Sequence, residues 1–376
     1  MKNKIVELIA ANVEGLTVAE IADLIEIPPK PELGDFAFPC FRLAKTMRKA
    51  PQMIANDIKE AIGDVDFLQE IQVQGAYLNF FVKKELFIET MVTASMADDF
   101  GSSTEGNGQT ICIDYSSPNV AKNFHVGHLR TTIIGNSLYK IYSKLGYKVV
   151  RINHLGDWGT QFGKLIVAYK AWGSEEAVKK DGVAELMKLY VKFHEEAEKN
   201  PELNDEARAW FAKMEHGDEE ALKIWQWFKD ISLIEYKRTY DLLGMDFDYY
   251  LGESFYRDKT DDVVKRLTDA NLLTESEGAK IVNLDAYDMA PCLILKNDGS
   301  SIYATRDIAA IFYRKETYNF VKCLYVTGQE QKLHFKQVFK VVELLGNEWA
   351  KDQLVHIPYG LVSLEGAKLS TRSGNI

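Results

Sequence analysis

The stretch TICIDYSSPNVAKNFHVGHLRTTIIGNSLYKIYSKLGYKVVRINH, residues 110–154, decides the fold. TICIDYSS is a short apolar strand, HVGHLRTTIIGNSLYKIYSKLG a helix and YKVVRINH a second strand, a unit whose two strands lie parallel. A Rossmann-like α/β plan follows. Downstream, AKIVNLDA, CLILK, VKCLYVTG and QLVHIPYG are predicted to continue the same sheet, separated by helical stretches such as KLHFKQVFKVVELLG. Between about 173 and 245 the chain turns helical and acidic, with 15 Asp or Glu against 9 Lys or Arg from Glu175 to Asp230. This reads as an inserted helical layer. Upstream, GSSTEGNGQ (101–109) is a linker, and residues 1 to about 95 read as a helix, a loop (PPKPELGDFAFP), two helices, paired strands around Gly75 and a further helix.

Size agrees with more than one unit, since 376 residues exceed the ~250–300 that a single core usually holds. We therefore expect a small α+β domain over 1–105 and a larger α/β domain over 106–376. Charged residues make up 27% of the chain and no apolar run approaches a membrane span, so a soluble protein is expected. The amino terminus, MKNKIVELIAANVEG, is not a secretory signal, and a cytoplasmic location is expected. Cys40, Cys112, Cys292 and Cys323 are scattered without a CxxC pair, which predicts reduced thiols and no protein metal site. A net charge of -10 excludes a protein that coats nucleic acid indiscriminately. Arg42, Lys45, Arg48 and Lys49 nonetheless recur at helical spacing, as one positive helix face or as a solvated stripe.

The chemistry gathers where strands end, the place open α/β sheets put their ligands. His125, Gly127 and His128 open the helix after the first strand, beside its positive dipole end and its free N–H groups, where a phosphate fits. Gly127 would let a flat ring or ribose approach the backbone. HxGH alone also reads as half a metal site or as a helix cap. After the last strand, LVSLEGAKLSTRSGN carries Lys368, Ser370 and Arg372, cations suited to a triphosphate or to an ordinary basic surface loop.

Together, SPNVAKNFHVGHLRTT and GAKLSTRSGN resemble the two signatures of class I aminoacyl-tRNA synthetases. The first is similar to the arginyl enzymes in particular, which carry Ser-Pro-Asn before Ala-Lys and follow HxGH with Leu-Arg and Ser or Thr. NHLGDWGTQFG, GES, SIYATRDIAA and QEQKLHFKQ match further, and LGDFAFPCFRLAK extends the match into the amino-terminal domain. Asn123 stands where the family often has proline.

The resemblance implies a Rossmann-like (HUP-type) catalytic domain that activates L-arginine with ATP and Mg2+ and transfers it to tRNA(Arg). His125, Gly127, His128, Lys368 and Ser370 would hold ATP. Lys122 and Arg372 would serve its phosphates, Lys122 standing in for a loop lysine. Asn119, Asn153, Glu253, Tyr303, Asp307 and Gln331 would form the arginine pocket, with Tyr303 stacking and Asp307 accepting guanidinium hydrogen bonds. Residue by residue, Tyr303 also reads as core filler, Asp307 as a helix cap, Glu253 as a surface acid and Asn153 as a turn residue. The amino-terminal domain would touch the tRNA on its D-loop side, with Phe36 and Phe38 stacking on a base and Arg42 and Lys45 nearby. The family continues into a helical anticodon-binding domain, so this chain is expected to be a truncated piece, monomeric and inactive alone. Another class I synthetase, a small HxGH nucleotidyltransferase and a non-catalytic paralogue are the rival readings. The Tyr303 and Asp307 pair argues against the first two, and retention of His128 and Lys368 against the last.

Overall fold

A computed structural model describes residues 1–297, 302–364 and 367–368; for 363–364 and 367–368 it describes the backbone alone. The chain divides into two units, Met1–Gly101 and Ser102–Ile376. Among the described residues no helix is long and apolar enough to cross a membrane.

The first unit runs α1 (Lys2–Asn12), α2 (Val18–Leu24), β1 (Phe36–Pro39), α3 (Leu43–Met47), α4 (Pro51–Ile62), β2 (Leu68–Gln74), β3 (Tyr77–Val82) and α5 (Lys84–Ser95). Thr17 and Glu20 close a capping box at the start of α2, satisfying donors that its first turn leaves open. The three strands make an antiparallel sheet in the order β1-β3-β2. Ile5, Ile9, Phe38, Ile54, Ile58 and Phe80 fill the core between sheet and helices.

Two sequence expectations are corrected here. FAFP, read as loop, is a strand: Phe36 pairs Phe80, and Glu26 and Ala37 exchange both backbone hydrogen bonds at 2.9 Å. A partner more than 40 residues away supplies this ladder, which local composition does not reveal. Phe38 consequently points inward at 0% exposure and has no face for a base, whereas Phe36 is half-buried. The positive stripe is not one helix face either, because α3 ends at Met47 and Arg48 turns left-handed at φ 50. Lys49 beyond it pairs with Asp57 at 2.5 Å, and Arg42 faces Glu20 at 3.9 Å.

The second unit is built on β4 (Thr110–Asp114), α6 (Val126–Lys144), β5 (Lys148–Asn153), α7 (Thr160–Trp172), α8 (Glu175–Asp181), α9 (Val183–Lys199), α10 (Glu202–Glu215) and α11 (Glu219–Leu242). It continues with β6 (Tyr249–Tyr250), α12 (Glu253–Tyr256), α13 (Thr260–Asp269), β7 (Leu273–Ser276), β8 (Ala279–Val282), β9 (Cys292–Leu295) and α14 (Tyr303–Tyr318). Last come β10 (Lys322–Gly328), α15 (Lys332–Leu344), α16 (Ala350–Gln353), β11 (Leu354–Tyr359), β12 (Ser363–Leu364) and β13 (Ala367–Lys368). Five parallel strands, ordered β11-β10-β4-β5-β6, form the central sheet. Apolar cores lie in two clusters around it, which is why its strands read as continuous apolar runs.

The helices α8 to α11 are the inserted layer. They meet α7 closely: a Cβ on Gly163 would lie 2.0 Å from the Ala207 carbonyl oxygen, so only glycine lets α7 and α10 pack at this distance. AKIV and CLIL, expected in the parallel sheet, instead make a separate antiparallel sheet in the order β7-β8-β9. The reason is connection length, since parallel neighbours need a crossover of roughly a dozen residues or more. Glu277 and Gly278, at φ 50 and 82, reverse the chain between β7 and β8 in a tight left-handed turn. All four cysteines are buried thiols.

Candidate active site

The loop from Tyr115 to Phe124 joins β4 to α6 and bears three non-glycine residues in the left-handed region, Ser116, Ser117 and Ala121. Such conformations persist only where the surroundings over-determine them. Here Ser117 Oγ donates to Asp114 Oδ1 (2.9 Å), Ser116 Oγ meets the Tyr240 hydroxyl (2.7 Å), and Ala121 N donates to Ser232 Oγ (3.0 Å). The Tyr236 hydroxyl reaches the carbonyls of Asn119 and Lys122, both at 2.6 Å. The inserted helix α11 thus clamps the loop that aims Asn119 and the helix start.

His125 caps α6. Its Nδ1 accepts from Gly127 N (3.1 Å), His128 Nδ1 accepts from His125 N (3.2 Å), and the two rings stack at 3.9 Å. This corrects the picture of open backbone N–H groups awaiting phosphate, because the imidazoles occupy two of them. The His125 ring also takes the space over Gly127, where a Cβ would lie 2.9 Å from it. With both Nδ1 atoms accepting, each neutral ring carries its proton on Nε2, which leaves that N–H as its remaining donor. Burial, then the neighbouring His125 and Lys122, pushes His128 down to about 3, and burial pushes His125 down as well. Lys122 Nζ lies 6.0 Å from the Tyr190 ring of α9.

A cavity of about 460 Å³ opens at the carboxyl ends of the central strands. Asn119, Glu253, Tyr303, Asp307 and Gln331 all line it. Asn153 does not: fully buried, it donates from Nδ2 to the Tyr240 hydroxyl (2.9 Å), so its assignment to the pocket lining is corrected. Polar residues of the wall that the sequence reading did not assign to the site include Asp114, Ser117, His154, Thr327 and His334. Asp114 ends the first sheet strand, a position that itself points to a ligand site. Asn119 is seated by Gly156, where a Cβ would fall 1.9 Å from its Oδ1. Glu253 is positioned by its neighbour Ser254, whose N and Oγ both donate to Asp157, at 2.8 and 2.7 Å. Asp157, in the LGDWG turn, also meets Lys229 at 2.6 Å, and its carbonyl takes the Trp225 indole N–H.

Arg130, in the first turns of α6, donates to the Gly360 carbonyl just past β11. Lys368 belongs to β13, paired with Ser363 of β12, and nothing of its side chain is described. Ser370 and Arg372 lie outside the described residues.

A family model described as tRNA synthetases class I (R), catalytic domain, matches residues 91–376. The chain belongs to the class I arginyl-tRNA synthetase family. That family's amino-terminal domain model matches residues 3–82. Arginine–tRNA ligases from Alkaliphilus metalliredigens and Clostridium perfringens are 56% and 57% identical to it over the whole chain. The chain spans 66% of the length of each. Its fold is shared with solved arginyl-tRNA synthetases from Thermus thermophilus (TM-score 0.69, 21% identity, covering 100% of this chain and 68% of that one) and Plasmodium falciparum (0.67, 24%, 96% and 65%).

In this arginyl-tRNA synthetase family member, the cavity's carboxylates differ in ionisation because their surroundings differ. Burial dominates at Glu253, which is 4% exposed, and holds its carboxyl protonated up to about 8 despite Arg306 at 3.5 Å. Asp307 is also desolvated, yet the His334 hydrogen bond and the charges around it hold its carboxyl below the usual range. Asp114 Oδ2 pairs with the buried Arg314 at 2.8 Å. The cavity therefore carries a neutral Glu253, an Asp114 paired with Arg314 and an Asp307 hydrogen-bonded by His334. Tyr303, an exposed residue, lines the same cavity.

Proposed function

We propose that this chain carries the amino-acid-activating site of an arginine–tRNA ligase, converting L-arginine and ATP to arginyl-adenylate and transferring the arginyl group to the 3' end of tRNA(Arg). The observation that carries this reading is the cavity itself: Asp114, Glu253 and Asp307 converge on one space beside the aromatic Tyr303. A planar guanidinium wants carboxylate acceptors and an aromatic face, and a lysine ammonium would leave part of that acceptor set unpaired.

In the first step an arginine carboxylate oxygen attacks the α-phosphorus of ATP, the bond to the bridging oxygen breaks, and pyrophosphate leaves. Positioning and charge stabilisation carry such a displacement. The Nε2–H groups of His125 and His128 donate to phosphate oxygens, and the helix dipole behind them favours negative charge. Lys122, Lys368, Ser370 and Arg372 serve the phosphates, and Mg2+ enters with ATP. In the second step the terminal ribose hydroxyl attacks the arginyl carbonyl, loses its proton, and AMP departs. The first unit supports the tRNA through exposed groups such as Arg42 and Lys45, with Phe36 its half-buried aromatic. The protein works as a cytoplasmic monomer.

Thermal-shift titration tests the substrate. L-arginine at one hundred times its Kd should stabilise the fold by about 2.7 kcal/mol, while L-lysine and L-citrulline leave the melting temperature unchanged. Stabilisation by lysine equal to that by arginine would overturn the reading.

Glu253 adds a pH signature. Its carboxyl keeps a proton between its ordinary 4.5 and about 8, so the folded chain holds a proton there that the unfolded chain releases. Its contribution to stability is therefore full at low pH and declines as pH rises through that window. A bound cation draws this proton off. Arginine affinity should rise with pH toward about 8, and at pH 7 the binding enthalpy should depend on the buffer's ionisation heat. Glu253→Gln should abolish that dependence; a buffer dependence that survives the substitution refutes the assignment.

A further inference from the structure

Asp307 is held from several sides. His334, on α15, places Nε2 2.6 Å from Asp307 Oδ2 and donates there. His154, just past β5, faces the other oxygen, with Nε2 3.9 Å from Oδ1. Its remaining nitrogen, Nδ1, lies 3.3 Å from Arg314 NH2. A guanidinium only donates, so Nδ1 must accept, and the His154 proton is fixed on Nε2, the side facing Asp307. Arg314 is fixed in turn by Asp114. The chain Asp114, Arg314, His154, Asp307, His334 thus runs along one wall of the cavity, and Asp307 is the member with one oxygen hydrogen-bonded by His334 and the other facing the His154 Nε2 at 3.9 Å.

A fixed carboxylate matters for one kind of ligand more than another. A planar donor fork forms two parallel hydrogen bonds only when the acceptor plane is aligned with it. A point-like ammonium tolerates any rotation of the same carboxylate. We propose that His334 and His154 are positioning residues for guanidinium recognition, setting the plane in which Asp307 presents its remaining lone pairs to the substrate's fork. The inference rests on reading the cavity as an arginine site.

The test compares two amides that differ in reach. His334→Gln puts an amide N–H where Nε2 stands and keeps the hydrogen bond to Asp307; His334→Asn is too short to make it. Calorimetric titration of L-arginine into each folded variant should give a Kd near the parent's for Gln and about tenfold weaker for Asn, the size of losing one charge-assisted hydrogen bond. Discrimination against L-lysine, read by competition, should narrow by the same factor for Asn alone, and ATP affinity should be unchanged in both. Equal arginine affinity in the two variants, or arginine and ATP affinities that fall together, overturns the proposal. Failure of the parent chain to bind arginine while it binds ATP overturns the arginine reading first, and this inference with it.

Discussion

Arg314→Met should lower the unfolding free energy by about 3–5 kcal/mol, seen as a fall in the urea midpoint. Arg314 is 1% exposed, and its guanidinium is the counter-charge to Asp114 at 2.8 Å. Removing one partner of such a pair leaves the other as a buried uncompensated charge, which costs more than the pair contributed. The same change removes the donor that sets the His154 tautomer, so arginine binding should weaken as well. Asp114→Asn in the Arg314→Met background should recover part of the stability, since it deletes the stranded charge. Recovery of stability without recovery of arginine affinity is expected, because Asp114 itself lines the cavity. A single-variant loss below about 1 kcal/mol would mean water reaches this pair and that the wall is not preorganised.

The parts of the fold legible in the sequence are those with a strong local period. The strand–helix–strand run around His125 and the acidic helical layer are long, and hydrophobic spacing alone marks them out. What escaped depends on partners far along the chain. AKIV and CLIL are apolar runs that look alike in parallel and antiparallel sheets, and only the turn at Glu277 and Gly278 tells which. FAFP is a strand because β3 lies beside it, and that same pairing turns Phe38 into the core. The site divides in a similar way. Five of the six residues assigned to arginine surround one cavity, since each belongs to a motif at a strand end or helix start. Asn153 lies in the buried network of Tyr240 instead, a role that hangs on helix α11 almost ninety residues later. His154 and His334 fall inside the matched stretches NHLGDWGTQFG and QEQKLHFKQ, but nothing local to either says what it touches. Their meaning comes from Asp307, which neither adjoins in sequence.

Asp307→Ala should weaken L-arginine binding by about a hundredfold or more, close to 3 kcal/mol, and leave ATP affinity as it is. Three effects add in one direction. The guanidinium loses a charged acceptor; the cation that remains nearby, Arg314, repels it; and His334 loses its hydrogen-bond acceptor. Asp307→Asn separates charge from shape, since the amide fits the same space and its oxygen still accepts from one imidazole. If charge decides recognition, Asn should bind arginine almost as poorly as Ala. If the contact is chiefly steric, Asn should bind nearly as well as the parent. ATP supplies the internal control, because its phosphates are assigned to the His125 and His128 end of the loop, whose capping hydrogen bonds do not involve Asp307. Isothermal titration with each ligand reads both affinities on one preparation. Parallel loss of arginine and ATP binding would place Asp307 in the scaffold and take the carboxylate reading of the cavity with it.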